Sequence, residues 1–474
     1  MKRACVIGSG PNGLAAAIVL AQEGLQVDVF EAQDEPGGGA RTLPLTLPGF
    51  LHDFGSAIHP MAVGSPFFRS LPLADYGLHW IHGEVPLVHP LDDATAVVLE
   101  RSLDDTEKTL DADGRAWRRL MQPLVDHWDG FAEDGLGPAV RMPHHPFLMA
   151  HFALKGIQPA QRLARSRFAG VRARALFAGL AAHSFLSFDQ PLSSAFGIVL
   201  GATAHVVGWP VPRSGSQAIA QTLIAHLESL GGKVHTSRRI DTAGFRALYD
   251  EHTLMMCDTT PRQLLQLAGG RIRRSTRQAM SRFEHGPGAF KIDYALSEPV
   301  PWRAKECFRS IGLHLGGTFE EIAAAESEVS RGKNPERPFV LVAQPSLFDS
   351  TRAPAGKHVL WAYCHVPNGS PMDMTARIEA QIERFAPGFR DCILARHVLS
   401  PSRLEKMDEN LVGGDISGGA FTVKQFLARP SLRTYGTGVP NLFLCSASTP
   451  PGGGVHGMCG YHAAKLALRR FSSP

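Results

Sequence analysis

The chain has little that would tie it to an oxidising compartment, a membrane interior or a nucleic acid. Its cysteines, Cys5, Cys257, Cys307, Cys364, Cys392, Cys445 and Cys459, are odd in number and include no CxxC pair. That argues against a disulfide framework, a zinc site and a dithiol relay, and for reduced thiols in a cytoplasmic protein. No run reaches the ~18 uninterrupted apolar residues of a membrane span. The nearest, Ala195 to Trp209, is short and carries His205. No leader is expected, because the first residues run straight into a core strand. The net charge of +4 is too small to imply a nucleic-acid partner. There is no HExxH, no Ser-His-Asp order and no Cys/His metal spacing, so no metal is expected. Internal repeats and low-complexity tracts are also missing. What remains is an ordinary globular composition, 44% apolar over 474 residues, which is too long for one core and predicts two domains.

The first thirty residues carry the strongest pattern. Val6-Ile7 lead into Gly8-Ser9-Gly10-Pro11-Asn12-Gly13, then an alanine-rich run, then Val27 to Glu31. This reads as strand, glycine turn, helix and parallel strand. Gly8 permits the tight turn, Gly10 lets backbone amides approach a pyrophosphate, and Gly13 lets helix and strand pack closely. The pyrophosphate would sit at the positive end of the helix that begins near Pro11, with Asn12 in its first turn. Glu31, eighteen positions after Gly13, is placed to accept hydrogen bonds from an adenosine ribose. The pattern asks for an adenine dinucleotide without choosing between NAD and FAD.

The loop that follows, Ala32 to Thr42, has acids first and then Gly37-Gly38-Gly39-Ala40-Arg41. With it the chain resembles the FAD-dependent amine-oxidase and phytoene-desaturase superfamily, whose members set a Gly-Gly and arginine loop against the flavin. The resemblance implies cofactor contacts at Ala32, Gly38, Gly39, Ala40 and Arg41, with Gly37-Gly38 as the alternative register. It also makes His52-Asp53-Phe54-Gly55-Ser56 the D-x-G stretch that returns to the flavin through Gly55 and Ser56. Further on, a helix from Gln217 to Leu230, Gly231-Gly232 and a strand from Lys233 look like the unit that re-enters the nucleotide domain, with Val234 meeting the adenine through its backbone. Leu254 to Asp258 reads as another buried parallel strand, closed by Thr259-Thr260-Pro261. Thr260 is included among the cofactor contacts.

The second strong signal lies near the C-terminus. Leu442 to Ser446 runs into Ala447-Ser448-Thr449-Pro450-Pro451-Gly452-Gly453-Gly454-Val455-His456-Gly457 and then a small-residue helix, which makes a second anion-seeking helix end. Two such ends suit a ligand with a pyrophosphate at one and an electron-rich ring at the other, so the dinucleotide becomes FAD. The run resembles the carotenoid-desaturase C-terminal signature, and the match extends to Gly413-Gly414-Asp415, Gln425 and Arg429-Pro430. Ser446, Gly453, Gly454, Val455, His456 and Gly457 are the implied contacts. The chain also resembles the phytoene-desaturase-like pyridine nucleotide-disulfide oxidoreductase domain-containing protein 2 group. Nothing around Cys459 matches a cysteinyl-flavin motif, so noncovalent FAD is expected.

Alternating residues Ala289 to Leu296 predict a strand with Lys291 and Asp293 on one face and Phe290 and Ile292 on the other. Further strands are expected at Phe339 to Ala343 and Val359 to Val366, with a helix from Ile378 to Phe385. Gly286 to Lys291 followed by Pro299-Val300-Pro301-Trp302 is similar to the amine-oxidase segment whose lysine holds a water at flavin N5. Lys291 is therefore a catalytic candidate, against the plainer reading of a lysine paired with Asp293. His456 is a second candidate, and His59, His314 and His365 are candidates for lining the cavity. Between Gly135 and Phe188 there is no acid, while Lys155, Arg162, Arg165, Arg167, Arg172 and Arg174 interleave with Phe147, Leu148, Phe152, Leu154, Leu163, Phe168, Leu176 and Phe177. The favoured reading is a solvated basic face over a core, with contact to an anionic membrane as the alternative.

These readings combine into an α/β fold in which a Rossmann-like FAD-binding domain, residues 1–60, 205–280 and 430–474, is interleaved with a substrate domain of mixed β-sheet and helices, residues 61–204 and 281–429. The helical, membrane-facing candidate spans about 140–190. The expected activity is oxidation or desaturation of a hydrophobic, isoprenoid or lipid-like molecule by hydride transfer to flavin N5, with oxygen or a quinone taking the electrons. The alternatives are an amine oxidase, which needs an aromatic pair facing the flavin, and a catalytically quiet FAD-bound scaffold.

Overall fold

A computed structural model describes residues 2–138 and 140–472; Met1, Ala139, Ser473 and Pro474, which the expected domain bounds include, lie outside the described residues. Strand Arg3–Ile7 stands at the centre of a five-stranded parallel sheet in the order Leu442–Leu444, Leu254–Cys257, Arg3–Ile7, Gln26–Phe30 and Lys233–His235. Numbered along the chain within this sheet, the order is the doubly wound one, 3-2-1-4-5 read from Lys233–His235. Helices cover both faces, which is why strands such as Leu-Met-Met-Cys are apolar throughout and wholly buried.

Helix Pro11–Gln22 connects the first two strands, with proline at its first position, where a missing N–H costs nothing. Every residue from Asn12 to Ala21 is buried. It is apolar all round because it packs between the sheet and the helices Gln217–Ser229 and Met458–Ser472. Small residues set how near these helices come. A Cβ on Gly460 would stand 1.8 Å from the Asn12 carbonyl oxygen, and one on Gly13 would stand 2.2 Å from that of Gly8. Only glycine fits at either contact.

The second sheet has seven strands in the order Ile393–Leu399, Gly288–Leu296, His358–Val366, Val340–Ala343, Ser310–Leu315, Val85–Pro90 and Ala96–Leu99. It is antiparallel except where Ser310–Leu315 runs parallel to Val85–Pro90. Phe290, Ile292 and Tyr294 share a core with Ile378, Ile382 and Phe385 of helix Thr375–Phe385. Lys291 and Asp293 take the opposite face, as the alternation predicts. Unlike a solvated antiparallel sheet, the strand Gly288–Leu296 is buried along its whole length.

Helices Pro146–Gly156, Ala160–Arg167, Val171–Ala182 and Ser193–Val206 pack beside this sheet. Leu163, Phe168, Leu176 and Phe177 are buried core residues, in keeping with a basic face over a core. The first of these helices departs from that pattern, since Phe147 and Leu154 are 90% and 73% exposed. No helix among the described residues is long and apolar enough to cross a membrane.

Candidate cofactor and substrate cavity

The edges of the two sheets meet around one continuous cavity of about 730 Å³. One end is walled by Gly8, Gly10, Pro11 and Asn12 of the first turn, then by Glu31 and Ala32 at the end of the second strand. Gly38, Gly39, Ala40 and Arg41 continue the wall, followed by Gly55 and Ser56, and Ser446, Gly453, Gly454 and Val455 close it from the C-terminal turn. Two motifs more than 400 residues apart therefore face one space. Gly38 and Gly39 line it, and Gly37 does not.

Each wall segment is held by identifiable bonds. Glu31 is 9% exposed; one carboxylate oxygen accepts from the Ser9 amide at 3.0 Å and the Ser9 hydroxyl at 2.6 Å, and the other accepts from the Gln33 amide at 2.9 Å. Arg41 donates to the carbonyls of Gly38 at 2.8 Å and Met407 at 2.9 Å, and its guanidinium lies 4.7 Å from the centre of the Phe54 ring. It ties the glycine loop to the segment after helix Pro401–Met407, whose Asp408, Asn410 and Leu411 also line the cavity. Asp53, 1% exposed, accepts from the Thr42 hydroxyl and the Ser216 amide, both at 2.8 Å, and from Arg352 at 2.7 Å. That salt bridge joins the strand of the D-x-G stretch to the far sheet region, and it holds the Asp53 carboxyl below its ordinary range despite burial.

The residues present fit FAD. Gly10 would place a Cβ 2.8 Å from the carboxylate of Asp258, so the cradle has no room for a side chain. Three buried polar atoms along the wall, Asn12 Oδ1, Ser56 Oγ and Thr259 Oγ1, have no partner among the described residues. Unpaired buried groups of this kind are rare and costly unless a ligand satisfies them. Gly13, Val234, Thr260, His456 and Gly457, also expected as contacts, stand behind this wall. Gly13 donates its amide to Asp258 at 2.8 Å, Thr260 caps helix Pro261–Ala268 with Gln263, and Val234 pairs with Val29 at the sheet edge. His456 Nδ1 accepts from the Met458 amide at 3.0 Å, and burial lowers its pKa to about 4, so the ring is neutral. Cys459 is buried behind the same turn, its thiol pushed up to about 12.

The other end of the cavity has a different lining: Met61, Leu87, Phe185, Phe196, Leu200, Trp209, Leu313, Leu341, Trp361, Tyr363 and Phe421, with His59, His183 and His314. His183 and His314 share a hydrogen bond at 3.0 Å between their Nε2 atoms, and burial holds both neutral. His59 bonds the Ser216 hydroxyl at 2.8 Å and is likewise lowered, to about 4. His365 does not line the cavity; its Nδ1 lies 2.9 Å from both oxygens of Glu326. Lys291 does line it, 3% exposed, with its ammonium bonded to Asp293 and 5.8 Å from the centre of the Trp361 ring. The pairing with Asp293 is therefore present, on a lysine that also faces the cavity. Burial pulls Lys291 down and pushes Asp293 up to about 6. Trp361 donates its indole N–H to Gly55 at 3.0 Å, joining the lysine's neighbourhood to the glycine wall.

Sequence reasoning missed the segment around Asp408, the Arg238 to Thr242 stretch beside the second strand, and the pairing of His183 with His314. Only the Gly413-Gly414-Asp415 match hinted at the first of these. Among the described residues no group of His, Cys, Asp or Glu is placed to hold a metal ion, and all seven cysteines are free and buried.

Comparison with known proteins places this geometry among relatives. Residues 6–72 match the NAD(P)-binding Rossmann-like domain family. The chain is 24% identical to the rat pyridine nucleotide-disulfide oxidoreductase domain-containing protein 2 over 98% of its own length and 93% of the relative's. It is also 24% identical to the lycopene-forming phytoene desaturase of Pseudescherichia vulneris over 99% of both chains. Among solved structures, wild-type putrescine oxidase bound to putrescine shares the fold with a TM-score of 0.62 at 16% identity, over 99% of both chains.

Proposed function

We propose that this chain belongs to the FAD-dependent phytoene desaturase and amine oxidase superfamily and that it oxidises or desaturates a neutral, hydrophobic small molecule, isoprenoid or otherwise lipid-like. The chain is an FAD-dependent oxidoreductase, and noncovalent flavin supplies the hydride acceptor. The observation that supports the substrate class is the distribution of charge around the cavity. Every carboxylate on its wall, Glu31, Glu35, Asp241, Asp258, Asp408 and Glu409, belongs to a segment around the dinucleotide turn. In the aromatic half the one ionisable group outside the histidines and Tyr363 is Lys291, already paired with Asp293. A cationic substrate buried there would lack a counter-charge.

In this reading the discontinuous nucleotide unit, residues 1–60, 205–280 and 430–474, binds FAD, and the rest of the chain encloses the substrate. Lys291 acts beside the flavin, holding a water or proton for reoxidation, and oxygen or a quinone takes the electrons. A second reading has its own support. Trp361 and Tyr363 both line the cavity, with rings 5.0 Å apart at 77°, and supply an aromatic pair of the kind an amine oxidase needs.

Anaerobic mixing of the flavoprotein with a panel of isoprenoids, lipid aldehydes and alkylamines tests the assignment. Bleaching of the flavin by neutral apolar compounds alone is expected. Bleaching by amines alone would move the protein to the second reading, and bleaching by none would favour a catalytically quiet scaffold. Delivery of such a substrate from an anionic membrane is part of the proposal, supported by exposed Phe147 and Leu154 on one helix and exposed Arg162, Arg165 and Arg167 on the next in the chain. Joint replacement of Phe147 and Leu154 by Glu should abolish sedimentation with phosphatidylserine vesicles; sedimentation equal to that of the parent protein would remove this surface from the proposal.

A further inference from the structure

We propose that Asp258 makes FAD binding take up a proton, because its carboxyl stands against the turn that draws the pyrophosphate and accompanies the bound cofactor in neutral form. The inference rests on FAD as the ligand of this cavity.

Asp258 follows the buried strand Leu254–Cys257, next to the central strand, and its amide donates to the Ile7 carbonyl at 2.7 Å. The chain is thereby registered so that the side chain lands on the glycine turn. Its Oδ2 accepts from the Gly13 amide at 2.8 Å and would lie 2.8 Å from a Cβ on Gly10. Gly13 is the third residue of helix Pro11–Gln22, so this carboxyl occupies one of the unpaired amides that make the helix end attractive to a phosphate. A fixed anion there works against the second anion the turn is shaped to receive.

The surroundings do not neutralise it. The ionisable groups facing Asp258 are Glu31 at the end of the second strand and Asp408 on the opposite loop, with Glu409 beside it. Glu31 and Asp408 oppose its ionisation. The thiols of Cys257, Cys445 and Cys459 on the neighbouring elements are themselves held protonated by burial. Arg41, the cation on the adjacent loop, directs its bonds to the Gly38 and Met407 carbonyls. Asn410 donates to the Asp258 carbonyl at 2.9 Å and leaves the carboxyl alone. With Gly13 the single donor found for the carboxyl among the described residues, burial and like charge hold it protonated up to about pH 7. A bound diphosphate brings further negative charge to the same helix end and raises that value again. Between the two values each FAD that binds must carry one proton in with it, so affinity weakens as pH rises above 7.

Calorimetric titration of the deflavinated full-length protein with FAD, in pairs of buffers of different ionisation heat from pH 5.5 to 8.5, reads this directly. Proton uptake should be near zero at pH 5.5 and approach one per FAD at pH 8.5, with the dissociation constant rising up to about tenfold per pH unit in the upper range. Asp258→Asn keeps the shape without the charge, so it should bind with a flat pH profile and more tightly than the parent at pH 8.5. Asp408→Asn serves as the parallel control, since Asp408 is also raised by burial, and Asp293 is a third buried carboxyl pushed up. Zero uptake by the parent across the range would overturn the proposal, as would an Asp258→Asn protein that keeps the parent's uptake. If that variant does not fold, uptake that persists in Asp408→Asn supports Asp258, and uptake that vanishes in Asp408→Asn overturns the proposal. Failure of FAD to bind at any pH would instead sink the cofactor reading, a result distinguishable from binding without a proton.

Discussion

The two halves of the cavity solve opposite problems. The dinucleotide half must bring backbone close to a charged ligand, so it is built of glycines, a helix N-terminus and orphaned polar atoms such as Asn12 Oδ1 and Thr259 Oγ1. The aromatic half, proposed to take the substrate, is built of large side chains from strands and helices distant in sequence, among them Leu87, Trp209, Leu341 and Tyr363. Close approach to backbone tolerates one residue type, whereas an apolar wall tolerates many combinations of equal volume. The first half is therefore rigid in its sequence requirements and the second is free to vary with the substrate.

The largest effect should come from breaking the seam between the halves. Arg352→Met leaves Asp53 buried without its cation, which should cost about 3–5 kcal/mol of stability, read by chemical denaturation. The seam also sets behaviour in acid. The Asp53 carboxyl is lowered in the fold, so its stabilising contribution is complete above the unfolded value of about 3.9 and is lost as pH falls through the lower folded value. The variant should lose this acid dependence; a parent and variant with the same acid unfolding curve would contradict it.

Next in size is Gly460→Ala, which forces a methyl group into the Asn12 carbonyl. Helix separation should cost about 3 kcal/mol and weaken FAD retention, measured as flavin content after gel filtration. A volume-conserving change in the aromatic half, Leu341→Ile, should cost less than about 1.5 kcal/mol, and equal losses at the two positions would erase the contrast between the halves. The smallest of the three effects is kinetic. Lys291→Met should slow flavin reoxidation or substrate oxidation about tenfold or more while FAD remains bound. Unchanged turnover of the FAD-loaded variant would remove Lys291 from the chemistry and leave it as the partner of Asp293.

Legibility followed the same division. Gly8 to Glu31 and Ser446 to Val455 could be read because steric exclusion leaves a local signature, and the strand at Lys291 because a two-residue alternation survives in the chain. The basic helices near residue 160 were read only in part, since a periodic apolar pattern does not say which residues find a partner. Leu163 and Phe168 are covered and Phe147 is not.

By itself the sequence determined an adenine dinucleotide at the first turn, FAD as the choice through the second, and a lysine facing the same way as Asp293. These depend on local geometry, on spacing along one strand or helix, and on a resemblance carried by short motifs. The tertiary structure alone decided that Asp258 presses on the glycine turn 245 residues away from Gly13, that Arg352 neutralises Asp53, and that every cavity carboxylate gathers at one end. Such contacts arise where sheets and helices converge, and packing of this kind leaves no periodic trace along a chain because each partner sees the other only after the fold has formed.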